Sequence, residues 1–345
     1  MAILFQVETT IVFSMILFVV LHELNALNMW KASQISQGSH SNQPNSQGTF
    51  KSQQYFKLAN RSYLNYNKQS FQMLLKLDTL SVPQRKLKIL CLHGLNNHIE
   101  SFKFMSKGFT DQLSHIADFY YVEASFSISD VLPPEPGLLE KGFKPPFKSW
   151  FNPKSDEEKW VQDILKEYFK TAPPLPDEIE AQVCVQIEEN LSIIENAIKA
   201  DGPFDGVFAF SQGNAIFRLF CFMAQQLYPE RYKSIQLPRF VISISGTVFL
   251  QYLFLIDGKL YGPLDCKVQN VDSIHIFGTK DIFYDDCLRE TAVYIDSPDV
   301  MKVQIVHNKG HLIYSRFTEC EQKQLANFME RQILHIQNKD KSVKL

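Results

Sequence analysis

Apolar residues gather along this chain in short runs, each broken off by glycine or a polar residue, with longer stretches of helical spacing between them. The runs are Leu87–Leu92, Asp118–Ala124, Asp205–Phe210, Arg239–Ser245, Ser273–Phe277 and Lys302–His307. Compact apolar runs are what strands look like when a sheet is covered on both faces. The stretches between them read as helices over Ser101–Ile116, Ala181–Ala200, Gly213–Met223, Asp286–Ile295 and Glu319–Gln332, with apolar positions spaced for one face and with Gly202-Pro203 stopping the second. Strands alternating with helices predict an α/β fold, a mainly parallel sheet with helices on both faces, over residues 84–336.

Three regions depart from this pattern. Between residues 126 and 177 prolines from Pro133 to Pro176 are interleaved with Phe143, Phe147, Trp150, Phe151 and Trp160, and only Trp160–Phe169 has a helical look. Long irregular insertions in compact domains are usually functional, which favours a lid-like insertion over a passive loop. Residues 31–83 form a low-complexity linker and extension: Lys31–Gln54 is rich in Ser, Gln, Asn and Gly and buries too little apolar surface to offset chain ordering. In residues 1–30 the apolar run Ile11–Leu21 is shorter than the about 20 residues that span a bilayer. It has no preceding Lys or Arg and no clear cleavage site, so three readings stand: a weak signal or anchor, a packed or amphipathic segment, or a start misassigned upstream of Met15 or Met29. The Lys-rich tail 337–345 is expected to fray.

Composition narrows the function classes. A formal net charge of −2 leaves no basic surplus for phosphate contacts, so no nucleic-acid partner is expected. Membrane association is expected only through the N-terminal segment. The six cysteines have no C-x-x-C pairing, and Cys91 and Cys221 sit inside apolar runs, which favours reduced thiols and a cytoplasmic location. No metal-ligand cluster, phosphate-binding loop or dinucleotide fingerprint occurs, so neither a cofactor nor a metal is expected.

The chemistry centres on Phe210-Ser211-Gln212-Gly213, where the strand-like run stops at a serine and a helical run begins. A serine on such a strand-to-helix elbow is pushed out of the surrounding structure, and small residues on either side, here Ala209 and Gly213, let strand and helix approach. Active residues of an open α/β sheet gather after the carboxyl ends of its strands. Asp281 follows the run Ser273–Phe277 and His311 follows Lys302–His307, so the chain order Ser211, Asp281, His311 is that of a hydrolase triad: nucleophile, orienting acid and base. His307 is the rival base, and Asp285 and Asp286 are rival acids. The expected oxyanion donors are the backbone N–H groups of Gln212 and of Leu95, the latter after His93-Gly94. Trp150 and Phe151 are expected to wall an apolar acyl pocket.

Lys88-Ile89-Leu90-Cys91-Leu92-His93-Gly94, Gly202-Pro203-Phe204-Asp205-Gly206 leading into Phe210-Ser211-Gln212-Gly213, Phe240–Ser245 with Gly246, Gly278-Thr279-Lys280-Asp281 and Gly310-His311 together resemble the FSH family of eukaryotic serine hydrolases, which takes in the ovarian-cancer-associated esterase-like proteins. The resemblance runs from residue 86 to about 335. It implies an α/β hydrolase fold and carboxylic-ester hydrolysis, with Ser211, Asp281 and His311 at the family's triad positions. Ala209 stands where the family has glycine, Lys309 where a second glycine before the histidine is usual, and Tyr314 where proline is common; these departures bear on turn geometry.

A small-molecule ester with an apolar acyl portion, or a thioester, is therefore the expected substrate, cleaved through an acyl-Ser211 intermediate. The same triad would serve an acyltransferase, and a catalytically silent binding protein on the same fold is the reading from another class.

Overall fold

The predicted runs lie side by side in one parallel sheet whose order places the serine-bearing strand near its middle. The computed structural model describes residues 85–128, 136–154, 158–176 and 179–342; the readings of 1–30 and 31–83 fall outside these. In chain order the elements are β1 (Leu87–Leu92), α1 (Ile99–Leu113), β2 (Ala117–Val122), β3 (Phe126–Ser127), α2 (Pro136–Glu140), β4 (Lys148–Ser149), β5 (Asn152–Lys154), α3 (Lys159–Tyr168), β6 (Gln182–Val185), α4 (Ile187–Asp201), β7 (Gly206–Phe210), α5 (Gln212–Phe222), α6 (Pro229–Tyr232), β8 (Phe240–Ile244), β9 (Tyr252–Ile256), β10 (Lys259–Tyr261), β11 (Asp272–Gly278), α7 (Tyr284–Val293), β12 (Lys302–His307) and α8 (Glu319–Ser342).

Six strands form the main sheet in the order β12-β11-β8-β7-β1-β2, and every neighbouring pair is parallel. Strand β7 shows why its sequence is apolar throughout. Val207 and Ala209 pack into a core with Leu191 and Ile194 of α4 and Ile216 and Phe217 of α5. Phe208 and Phe210 point the other way, into a core with Phe102 and Phe109 of α1 and Phe328 of α8. With both faces covered, neither set can be polar.

The approach to β7 is built into β1. The Asp205 carboxylate accepts the Lys88 N–H at 2.8 Å and both Arg85 guanidinium nitrogens at 2.6 and 2.8 Å, and Asp205 N–H donates to the Lys88 carbonyl. Phe204 is buried against Tyr120, and a Cβ on Gly206 would lie 2.2 Å from the Phe240 ring. The Gly-Pro-Phe-Asp-Gly stretch thus fixes the register and depth of the elbow strand and makes no direct contribution to chemistry.

Three expectations change. The helix expected over Ala181–Ala200 is a strand followed by a helix, split at Gln186, whose φ of 55° breaks the run. Val183 and Val185 belong to that strand's own pattern. The insertion, expected as an irregular lid, contributes β5 and α3 to regular structure: β5 pairs with β6 and β6 with β9 in a second sheet of order β10-β9-β6-β5, which α3 covers through Val161 and Leu165. The closing helix runs past Gln332 to Ser342, well into the stretch expected to fray. Among the described residues no helix is long and apolar enough to cross a membrane.

Candidate active site

Ser211 ends β7 and begins α5 with φ 50° and ψ −118°, a conformation that L-residues rarely adopt and that elements on both sides must hold. The strand side is held by Ser211 N–H, which donates to the Ile244 carbonyl at 3.0 Å. The helix side is held by Asn214, whose N–H donates to the Ser211 carbonyl and whose side-chain amide reaches the Ala209 carbonyl at 3.0 Å. Close approach at the elbow demands glycine at 213, where a Cβ would lie 2.3 Å from the Leu92 carbonyl oxygen.

Asp281 and His311 meet because the loops after β11 and β12 are zipped together. Thr279 N–H donates to the His307 carbonyl at 2.8 Å and Lys280 N–H to the Lys309 carbonyl at 3.1 Å. Gly278 permits this, since a Cβ there would lie 1.8 Å from the Lys309 oxygen. His311 Nδ1–H then faces the Asp281 carboxylate, 2.8 Å from Oδ2 and 3.0 Å from Oδ1. The imidazole packs on Phe210, the residue before Ser211, at 5.1 Å, and edge-on to Phe283 at 5.2 Å. Burial by itself would push the Asp281 carboxyl up. The His311 hydrogen bond and charge, with the Phe283 N–H at 2.9 Å from Oδ1, outweigh that and hold it below its ordinary value.

Two of the rivals, His307 and Asp286, make contacts of their own. His307 accepts the Lys309 N–H on Nδ1 and stacks on Tyr314 at 4.1 Å, and burial lowers its pKa. Asp286 pairs with Arg289 on the exposed side of α7.

The two expected oxyanion donors belong to segments that meet at the elbow. Gln212 N–H is the first of the helix, a position with no acceptor inside the helix. Leu95 lies in the turn after β1, where a Cβ on Gly94 would press on Phe210 at 2.9 Å and on the Ser211 Cβ at 3.2 Å, so the loop touches the elbow itself. His93 underpins the turn: it is fully buried, its Nε2 accepts the Ala124 N–H at 3.1 Å and its Nδ1 lies 2.7 Å from the Gly94 carbonyl. That arrangement requires the neutral ring protonated on Nδ1, and burial pushes its pKa down to about 4.

A family model described as serine hydrolase (FSH1) matches residues 82–319. The chain belongs to the FSH1 serine hydrolase family. Esterase OVCA2 of Homo sapiens is 27% identical over 234 residues, covering 67% of this chain and 90% of its own. Esterase C25G4.2 of Caenorhabditis elegans is 26% identical over 253 residues, covering 72% and 96%. Esterase CG5412 of Drosophila melanogaster is 25% identical over 248 residues, covering 71% and 74%. This FSH1 family member is thus a serine hydrolase built on a six-stranded parallel sheet, and two of its departures from the expected pattern are accommodated locally. Ala209 is fully buried and paired with Leu92 and Ser243 in the sheet, and Lys309 lends only backbone at a position without positive φ.

Trp150 and Phe151, expected to wall an acyl pocket, are enclosed by the protein itself. Both are buried, Trp150 at 5.1 Å from the His93 ring and Phe151 between Tyr252 and Phe254, so neither offers a free face to an acyl chain. The exposed apolar residues beside the triad are instead Ile282 and Leu312, next in sequence to Asp281 and His311 and 58% and 38% exposed. Sequence reading missed them because each lies in a short loop, outside any periodic run.

Proposed function

We propose that this protein hydrolyses carboxylic esters, and thioesters of similar shape, through an acyl-Ser211 intermediate. The observation that carries the reading is the Asp281–His311 pair: the carboxylate takes Nδ1–H at 2.8 Å, which leaves Nε2 as the basic nitrogen of a ring lying on the residue before the serine. His311 Nε2 accepts the hydroxyl proton as Ser211 Oγ attacks the carbonyl carbon, and Asp281 stabilises the imidazolium that forms. The developing oxyanion is met by the Gln212 and Leu95 N–H groups. Collapse expels the alcohol or thiol with the proton from His311. Water, deprotonated by the same nitrogen, then attacks the acyl carbon, and the second collapse returns the proton to Oγ and releases the acid. Ile282 and Leu312 favour an acyl portion with apolar length. Six free thiols, five of them buried, fit a reducing compartment such as the cytoplasm.

The test is labelling by a fluorophosphonate probe together with p-nitrophenyl ester hydrolysis. Wild-type protein is expected to take the probe on Ser211 and to turn over ester, and Ser211→Ala to do neither. Turnover by Ser211→Ala within tenfold of wild type would overturn the acyl-serine mechanism.

A further inference from the structure

The segment Lys148–Phe151 lies far in sequence from both oxyanion donors, yet it is bonded to the structures that carry each. On the Leu95 side, Lys148 N–H donates to the Asn97 carbonyl at 2.8 Å, and Asn96 N–H donates to the Lys148 carbonyl at 3.0 Å. The Trp150 indole Nε1–H donates to the His93 carbonyl at 2.8 Å. These bonds bracket Gly94 and Leu95 from before and behind. On the Gln212 side, the Trp150 backbone N–H donates to the Gln212 side-chain oxygen at 2.8 Å. Only the amide's oxygen can face an N–H, so the Gln212 side chain has one orientation. The Ser149 hydroxyl is 3.2 Å from the same oxygen and 2.7 Å from the Phe151 carbonyl, and its single proton goes to the nearer acceptor. Asn190 fixes the segment from below, its amide donating to the Trp150 carbonyl at 2.8 Å and its oxygen accepting Ser125 N–H. Trp150, Ser149, Gln212 and Asn190 are all fully or almost fully buried.

From this we infer that Trp150 is the positioning residue of the oxyanion hole, a single side chain and its own amide that set the spacing between the Leu95 and Gln212 N–H groups. The inference rests on those two amides being the oxyanion donors. An oxyanion hole works by preorganisation: its donors must stand where the tetrahedral oxygen will be before it forms, and a displacement of about 1 Å can cost 100-fold in rate. The two donors here belong to different elements, the β1–α1 turn and the first turn of α5, joined by no local chain connection. Trp150 ties them with two hydrogen bonds that diverge from one residue. A Gln at 212, a Trp at 150 and a buried carbonyl at 93 that accepts the indole proton make sense together on this account.

The experiment compares wild type with Trp150→Phe, which keeps an aromatic ring against His93 and loses the indole donor, with Gln212→Met, which keeps bulk and loses the acceptor, and with the double variant. Fluorophosphonate labelling of wild-type Ser211 and inhibition by an aryl trifluoromethyl ketone, which forms a tetrahedral oxyanion on the serine, establish the underlying reading first. Absence of both would overturn that reading and this inference with it. Given both, each single variant is expected to lose 10- to 100-fold in kcat at unchanged KM, with the ketone's inhibition constant rising in parallel. The double variant is expected to fall no further than the worse single one, because both break one linkage. Unchanged kcat and ketone affinity in folded Trp150→Phe would overturn the inference and leave the triad standing. So would losses that multiply in the double variant while KM and melting temperature move with them, the pattern of ordinary core damage.

Discussion

The carbonyl oxygen of Leu92 lies 2.3 Å from the point where Gly213 would carry a Cβ. Strand β1 and helix α5 therefore touch backbone to backbone beneath the nucleophile, and the obstacle is a carbonyl that cannot swing aside as a flexible side chain would. Gly213→Ala is expected to drive α5 away from β1, lowering ester turnover at least 100-fold and the melting temperature by several degrees. Calorimetry with a p-nitrophenyl acetate assay checks it. An alanine variant of wild-type activity would show that the elbow relaxes freely.

Ala209, on the other side of the serine, is the reverse case. Its methyl is fully buried within the core that holds Val207 and Ile216. Restoring the family's glycine by Ala209→Gly removes one buried methyl and loosens a strand residue, costing about 1–2 kcal/mol of stability. Activity is expected to stay within twofold of wild type, since sheet pairing with Leu92 and Ser243 and the Asn214 bond to the Ala209 carbonyl hold the main-chain path without the methyl. Urea unfolding gives the first quantity and kcat the second; a tenfold loss of kcat would mean the methyl helps aim Ser211.

Asp281 and the rival carboxylates are separated by one comparison. Asp281→Asn removes the charge facing His311 and allows the wrong tautomer, so kcat is expected to fall by about 10³- to 10⁴-fold. Asp285→Asn and Asp286→Asn should leave kcat within twofold. His307→Gln is expected to lower stability through its lost stacking on Tyr314 while sparing the chemistry far more than His311→Ala does. A larger kcat loss for His307→Gln than for His311→Ala would exchange their roles.

How much of this was legible in the sequence follows the range of the interactions. The main sheet was readable because its strands write short apolar runs, and the turn at Ser211 and the Asp281–His311 pair because each of these residues stands just after one. The second sheet was not: β9 and β10 follow β8 without a helix between, and β6 is only four residues long beside a strongly helical stretch. Trp150 was legible as a large aromatic in a proline-rich segment, but its partners His93 and Gln212 lie 57 and 62 residues away, and no local pattern records such a bond. Aromatic residues in an insertion suggest a pocket wall and a packed anchor equally well. Here burial decides for the anchor.

Two buried histidines make stability depend on pH. Burial pushes His93 down to about 4 and His275 to about 3, whereas a histidine of the unfolded chain takes its proton near pH 6.5. Between those values the unfolded chain binds more protons than the folded one, so stability is fully present above about pH 6.5 and declines as pH falls toward 4. His275→Phe, which keeps a ring against Tyr294, is expected to shallow that decline. Urea midpoints measured at pH 7.5, 6 and 5 for both proteins decide it: an equal slope in the two would show that His275 is protonated in the fold.

Chain-length selectivity is the last expectation, and burial moves it from Trp150 and Phe151 to residues at the surface. Ile282 and Leu312 directly follow Asp281 and His311 and are exposed for large apolar side chains, 58% and 38%. A methylene removed from water is worth about 0.8 kcal/mol, so a chain that covers these two residues gains several-fold in kcat/KM for each added carbon until the surface is used up. Wild-type protein assayed on p-nitrophenyl acetate, butyrate, hexanoate and octanoate is expected to rise along the series. Ile282→Asn with Leu312→Asn should flatten the rise while acetate turnover changes little, because neither side chain belongs to the triad. Trp150→Ala should instead lower every ester by a similar factor, as loss of an oxyanion support must. A flattened series in Trp150→Ala, with the rise intact in the surface double variant, would return the acyl wall to the buried aromatics.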